Sequence, residues 1–234
     1  MKIVVLTGAG ISAESGVPTF RDADGLWEGH DVMEVASPEG FEADPELVQR
    51  FYDLRRAHLA NVEPNPAHLA LGRLEKTLGP DLLVITQNVD DLHERGGSTH
   101  VLHMHGELRS ALCLACADRF EWDGDLSHSP ACPGCGATML RPDIVWFGEI
   151  PYRMEEALQA LQEADLFVSI GTSSQVYPAA AFVHWAAEQG ARTLELNMTG
   201  TIASDDFDEV RTGPASVLVP SWVDELLATA PPAG

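Results

Sequence analysis

The stretch IVVLTGAGIS, residues 3–12, decides the fold. Ile3-Val4-Val5-Leu6 is a short apolar run, which predicts a strand buried in a sheet. Gly8-x-Gly10-x-x-Ala13 follows at once and fits the turn that brings a backbone close to a pyrophosphate. Taken alone, such a glycine pair serves equally well as a structural turn. Its position directly behind the first strand favours the nucleotide reading, with the next helix start offering unpaired N–H groups. The continuation is unusual for that reading. An ordinary dinucleotide fold would run on into a helix and a second strand. Here the chain runs into Pro18-Thr19-Phe20-Arg21-Asp22, a polar loop carrying an aromatic.

Outward from that turn, short apolar runs alternate with helical spacing. Strands are predicted at 82–86, 101–104, 166–170 and 193–197, and residues 144–147 are β-rich. Leu47, Val48, Phe51, Leu54 and Leu59 give helical periodicity over 45–61. Pro64-Asn65-Pro66 breaks the chain, and helix resumes over 67–78. Further helices are predicted over 154–163, over 179–189 and from Ser221, the last preceded by Val217-Leu218-Val219. Alternation of this kind predicts an α/β fold, a Rossmann-like parallel sheet with helices on both faces. Ligands of such sheets bind beyond the carboxyl ends of the strands. Thr7-Gly8-Ala9-Gly10, Thr86-Gln87-Asn88-Val89-Asp90, Gly171-Thr172-Ser173 and Asn197 end strands there and should converge on one ligand.

The four cysteines, Cys113, Cys116, Cys132 and Cys135, form two C-x-x-C pairs. Two close pairs can fill a tetrahedral zinc with thiolates, and a full shell leaves no place for water or substrate. The metal expected is one structural zinc; two disulfides or a redox pair are the other readings. This segment interrupts the α/β alternation. It is expected as a zinc-binding module over about 111–139. Beside it stand a Rossmann-like large domain (about 1–30, 78–110 and 140–234) and a helical part of a small domain (about 31–77), all within one unit spanning 1–234.

The 234 residues carry 36 acidic and 14 basic side chains, a net charge of -22. A surface so acidic repels phosphate backbones, so direct binding to nucleic acid is not expected, while basic protein segments would be attracted. No apolar run reaches the roughly 18 residues that span a membrane. Without a membrane segment or an export signal, the chain is expected to be cytoplasmic.

Three further groups carry chemistry. Gln87-Asn88-Val89-Asp90 offers two amides and a carboxylate, suited to ribose hydroxyls and a carboxamide; helix capping is the alternative. His103 and His105 stand at strand spacing on one face, and either could act as a general base. Tyr52 and Arg55 are three apart on one helix face. Phenol plus guanidinium can clamp a carboxylate, but an isolated pair of this kind is most often a solvated helix edge.

With these pieces in order, the chain resembles the sirtuin family of NAD-dependent protein-lysine deacylases. The resemblance spans nearly the whole length. It rests on Gly8-Ala9-Gly10-Ile11-Ser12, Pro18-Thr19-Phe20-Arg21, Thr86-Gln87-Asn88-Val89-Asp90 and His103-x-His105-Gly106-Glu107. It continues through both C-x-x-C pairs, Arg141-Pro142-x-Ile144-Val145-Trp146-Phe147-Gly148-Glu149, Gly171-Thr172-Ser173 and Asn197. It implies that the loop after the glycine turn is a lid over NAD, and that the reaction expels nicotinamide and moves no hydride.

Residue by residue, the resemblance implies a cofactor site of Gly8, Ala9, Gly10, Ala13, Phe20, Arg21, Trp27, Gln87, Asn88, Val89, Asp90, Gly171, Thr172, Ser173, Asn197 and Ala215. It implies His105 as general base, with Asn88 also catalytic and His103 structural. Residues 145–149, Val145, Trp146, Phe147, Gly148 and Glu149, would pair with an acyl-lysine peptide as an added strand. The products would be free lysine, nicotinamide and O-acyl-ADP-ribose. In the branch that removes succinyl and malonyl groups, a Tyr-x-x-Arg pair binds the distal carboxylate. Tyr52 and Arg55 match that pair, and Ala36 is the small residue that would make room. A monomer is expected. Two alternatives share parts of the pattern: a mono-ADP-ribosyltransferase on the same scaffold, and a non-catalytic zinc-ribbon interaction module. The chain begins almost on its first strand, where many relatives carry a helix. The acidic stretch containing Asp205, Asp206, Asp208 and Glu209 departs from the family at the adenosine edge.

Overall fold

The computed structural model describes residues 1–18, 26–27 and 29–229. In chain order the elements are β1 (Ile3–Thr7), β2 (Leu26–Trp27), β3 (His30–Asp31), α1 (Val32–Val35), α2 (Pro38–Ala43), α3 (Pro45–Leu59), α4 (Pro66–Leu78), β4 (Leu82–Thr86) and α5 (Leu92–Arg95). They continue as β5 (Val101–His103), β6 (Gly106–Cys113), β7 (Arg119–Glu121), β8 (Leu140–Ile144), α6 (Met154–Gln162), β9 (Leu166–Ile170), α7 (Phe182–Glu188), β10 (Arg192–Asn197), β11 (Glu209–Thr212) and α8 (Ala215–Thr229).

Six strands form one parallel sheet in the order β11-β10-β9-β1-β4-β5. Strand residues alternate between faces, so β1 serves two cores. Ile3 and Val5 pack with Leu71 and Leu74 of α4 and with Val219, Trp222 and Val223 of α8. Val4 and Leu6 pack with Leu161 of α6 and with Phe182 and Val183 of α7. Among the described residues no helix is long and apolar enough to cross a membrane.

Three helices open the same way, with a capping side chain followed by proline: Ser37-Pro38, Asp44-Pro45 and Asn65-Pro66. Each cap accepts a backbone N–H of the first turn, and proline fits the first position, which needs no donor. At α4 the cap is reciprocal, because His68 Nδ1 accepts the Asn65 N–H.

A second, antiparallel sheet, β7-β6-β8, carries the cysteines. Its own small core joins Ala111, Leu126 and Leu140 to Cys113 and Cys132. Asp53 and Arg56 fasten it to α3. The Asp53 carboxylate accepts the N–H groups of Leu126 (2.9 Å) and Ser127 (3.0 Å). Arg56 donates to the Leu108 carbonyl (2.7 Å) and to Asp53 (2.9 Å).

Several expectations need correction. The turn after β1 does not lead into an α-helix; it forms two short 3-10 turns, Ala9–Ile11 and Ala13–Ser15. The last helix starts at Ala215, six residues before Ser221, and contains Pro220. Burial of Ala215, Val219, Trp222 and Val223 against the sheet outweighs the proline penalty. Residues 145–147 form no strand, since β8 ends at Ile144. The helix expected over 179–189 opens with a 3-10 turn and is α-helical only from Phe182. Strand β11 and helices α1 and α2 add to the predicted elements.

Candidate active site

The carboxyl ends of β1, β4, β9 and β10 meet at one edge of the sheet, and backbone contact makes the meeting. The Gly8 N–H bonds to Ile170 O (3.0 Å), and the Gly10 N–H bonds to Gly171 O (2.9 Å). A Cβ on Gly10 would lie 2.7 Å from the Gly171 Cα and 2.8 Å from its carbonyl oxygen. Gly171 itself holds a φ of +62°, which side chains rarely adopt. Asn197 closes the group by donating from Nδ2 to Thr172 O (2.7 Å), and Gly213 N–H bonds Asn197 O (2.9 Å), bringing the start of α8 and Ala215 alongside. Ser173 stands half-buried in the same turn. Ala13 is exposed and does not pack helix against strand, as the third position of a dinucleotide fingerprint would.

Beneath the turn lies a buried polar network. Asn88 Nδ2 donates to Gly8 O and to Ser12 Oγ, each at 3.2 Å. Ser12 Oγ donates to Asp90 (3.0 Å). His68 Nδ1 is occupied as acceptor, so its proton sits on Nε2, 3.4 Å from Ser12 Oγ. Burial lowers the His68 pKa to about 4, keeping the ring neutral. Burial raises Asp90 to about 6, against the bonds from Leu92 N–H and Ser12. On the other side, Thr7 Oγ1 donates to Thr86 Oγ1 (2.9 Å) and meets His93 Nε2 (2.9 Å).

The two histidines stand side by side and differ in their partners. His103 donates from Nδ1 to Asn88 O (3.3 Å) and meets Glu94 through Nε2 (2.9 Å). Burial opposes its charge, but Glu94 and Glu107 outweigh burial and hold its pKa above the usual imidazole value. His105 donates from Nδ1 to Gln87 O (3.1 Å). A carbonyl only accepts, so this bond fixes the tautomer and leaves the lone pair on Nε2. Among the described residues Nε2 has no hydrogen-bond partner. Burial, partly offset by the Gln87 carbonyl, lowers the His105 pKa below 6.5. His105 is therefore a neutral base at pH 7, and His103 is tied to carboxylates.

A third cluster gathers α3, residues 35–36 and the segment after β8. Tyr52 is fully buried and accepts from Trp146 Nε1 (3.0 Å). The Arg55 guanidinium lies 3.1 Å from the Phe51 ring centroid and donates to Phe51 O (2.6 Å). Ala36 is buried beside them, and its carbonyl accepts the Phe147 N–H (2.9 Å). Trp27, expected on the cofactor side, packs here, edge-on to Phe51 at 4.8 Å. The Val89 side chain also joins this cluster. The Glu149 carboxylate turns inward, paired at 2.9 Å through each oxygen with Arg141. Gly148, at a φ of +89°, has open space around it. Phe20 and Arg21 lie outside the described residues.

The four thiols meet a geometric test for a metal. All four sulfurs lie within 4.8 Å of one another. Cys113 and Cys135 are 3.7 Å apart, and Cys116 and Cys132 are 3.8 Å apart. Sulfurs about 2.3 Å from a tetrahedral zinc stand about 3.8 Å from each other, while a disulfide requires about 2.05 Å. The cysteines are free thiols and fit a structural zinc. The sequence reading missed Glu195, whose carboxylate is buried at the end of β10 and receives Thr201 (2.8 Å), Ser204 and the Asn197 amide. Its signal was a charge inside the apolar run Leu194-Glu195-Leu196.

A profile described as the Sir2 family matches residues 8–178. The chain belongs to the Sir2 family. It is 54% identical over 229 residues to a protein of Vibrio cholerae named NAD-dependent protein deacylase, covering 97% of this chain and 93% of that one. Its fold matches a crystal structure of a Sir2 homologue in complex with NAD with a TM-score of 0.89 at 39% identity, over 97% of this chain and 90% of that one. A structure of Sir2 bound to acetylated peptide matches with a TM-score of 0.82 at 28% identity, over 97% and 94% of the two chains.

Proposed function

We propose that this Sir2-family chain is an NAD-dependent protein-lysine deacylase with His105 as general base, and that its acyl pocket takes succinyl and malonyl as well as acetyl groups. The observation that carries the activity is the His105 tautomer fixed by the Gln87 carbonyl, at the strand ends where the glycine turns converge. The bound NAD would supply an electrophilic ribose carbon as nicotinamide leaves. Gly8, Ala9, Gly10, Gly171, Thr172 and Ser173 would let its phosphates approach the main chain closely. Asn197 and Ala215 would border the adenosine, and Gln87, Asn88 and Asp90 would hold the ribose and the carboxamide. His105 Nε2 would accept the proton of a ribose hydroxyl, and a base held neutral at pH 7, its pKa lowered by burial, suits that transfer. The substrate lies along residues 145–149. The N–H groups of Val145, Trp146, Phe147 and Glu149 bond internally, so an added strand would draw on carbonyls and on the Gly148 N–H.

The acyl reading rests on the third cluster. A succinyl carboxylate buried among Phe51, Trp146 and Ala36 would cost several kcal/mol without a cation. Arg55 supplies one, close enough to Tyr52 for its charge to favour the phenolate. Burial dominates and holds the Tyr52 hydroxyl far above the usual phenol pKa, so it remains a donor. Peptides bearing acetyl-lysine or succinyl-lysine, each with and without NAD, test the reading by mass spectrometry. NAD-dependent transfer of the succinyl group from lysine to give O-succinyl-ADP-ribose and nicotinamide is expected. Arg55→Met should lower kcat/KM for desuccinylation about thirtyfold or more, while deacetylation changes less than about threefold. Equal loss on both substrates would sink the selectivity.

A further inference from the structure

We propose that Trp146 is a positioning residue for acyl selectivity, whose indole N–H fixes the Tyr52 phenol so that the hydroxyl proton is left for the carboxylate of a dicarboxylic acyl chain. This rests on the acyl reading above and adds to it a residue from the peptide-binding segment.

The chemistry of the pair is directional. An indole N–H can only donate, so the 3.0 Å contact makes the Tyr52 oxygen its acceptor. One lone pair of that oxygen is thereby filled, and its own proton remains to be given away. Donation into a hydroxyl oxygen also polarises the hydroxyl, making it the stronger donor. A carboxylate accepts only and gains from that donor. The methyl of an acetyl group makes no such demand.

The indole is held firmly enough to direct another side chain. Trp146 is 2% exposed. Its backbone N–H bonds the Glu149 carboxylate (2.8 Å), and the Arg141 guanidinium lies 3.7 Å from its ring centroid. Arg141 is itself fixed by both oxygens of Glu149 and by Ile144 O (2.7 Å). Neighbouring residues tie the segment to the two functional groups it separates. Val145 N–H bonds His105 O, and Phe147 N–H bonds Ala36 O, each at 2.9 Å. The strip that would hold the peptide backbone therefore reaches the acyl pocket through one side-chain hydrogen bond.

The test is a double-mutant cycle on succinyl-lysine and acetyl-lysine peptides. Trp146→Phe keeps an aromatic ring and removes the N–H. It should raise KM for the succinyl peptide about fivefold more than it raises KM for the acetyl peptide. Tyr52→Phe should show the same bias, and the double variant should be no worse than Tyr52→Phe alone. A structural role would instead raise both KM values together and multiply with Tyr52→Phe, and either result overturns the proposal. Should Trp146→Phe fail to fold, benzothienylalanine at position 146 replaces the ring N–H by sulfur with little change of shape and must give the same bias. A wild-type enzyme that leaves succinyl-lysine intact removes the acyl reading and this proposal together. A wild-type desuccinylase indifferent to the indole N–H removes the proposal alone.

Discussion

The glycine edge proposed to hold the nucleotide and the aromatic cluster proposed to hold the acyl group are built from different materials. At the nucleotide edge, Gly8, Gly10 and Gly171 touch through backbone atoms, and an added Cβ meets main chain at 2.9 Å or less. In the acyl cluster, Phe51, Tyr52, Trp27, Trp146 and Arg55 meet through rings and a guanidinium. Backbone contact has no adjustable part, because the main chain cannot rotate out of the way. Side-chain contact can be retuned by exchanging one polar atom. The first region suits a ligand that never changes, and the second suits one whose chemistry varies between substrates.

Replacing Gly10 strikes at the rigid half and should cost the most activity. In Gly10→Ala the new methyl would displace the Gly171 backbone and the Gly10–Gly171 hydrogen bond. Overpacking of this kind costs about 3 kcal/mol, so kcat/KM for NAD should fall roughly a hundredfold. The acetyl-to-succinyl ratio should not move. A variant with changed selectivity and unchanged NAD use would erase the contrast between the two regions.

The pH profile gives the next effect and decides between the two histidines. A base works when neutral, so kcat/KM should rise with pH through the base's pKa, tenfold per unit below it. The His105 pKa lies below 6.5 because burial disfavours its charge, and the His103 pKa lies above because Glu94 and Glu107 favour it. The ascending limb is therefore expected below pH 6.5, with a plateau through pH 7. A limb centred above 6.5 would assign the base to His103.

What the sequence made legible follows from how local each signal is. The cysteine pairs and glycine turns declare themselves because their geometry is set within a few residues. His105 and His103 are equivalent by spacing, and only the family resemblance singles out His105 in the sequence; their chemistry separates when Glu94, nine residues away from His103, reaches one ring and not the other. Trp27 follows the loop expected over the cofactor, yet pairing of Trp27 with His30 turns its ring toward Phe51. Strand β11 reads Glu-Val-Arg-Thr and alternates between exposed and half-buried residues at the sheet edge, so it carries no apolar run. The start of α8 was hidden by Pro220, whose local penalty is outweighed only by contacts distant in sequence. The Trp146–Tyr52 bond spans 94 residues and has no sequence signature.

The smallest expected effect asks whether the acyl cluster is tuned by its aromatic face or by the helix that carries it. Asp44 accepts the Leu47 N–H at 2.9 Å and caps α3, which bears Phe51, Tyr52 and Arg55. Asp44→Ala removes the cap and should cost about 1 kcal/mol, or roughly 2–4 °C in Tm for a chain of this size. The body of the helix is held independently, by Asp53 and Arg56 against the cysteine-bearing sheet and by Tyr52 against Trp146. Fraying at the first turn should therefore stop short of Phe51. Thermal unfolding should register the loss, while the ratio of desuccinylation to deacetylation stays constant. A shift in that ratio would mean that the pocket depends on the whole helix, and the acyl cluster would then be as rigid a construction as the glycine edge.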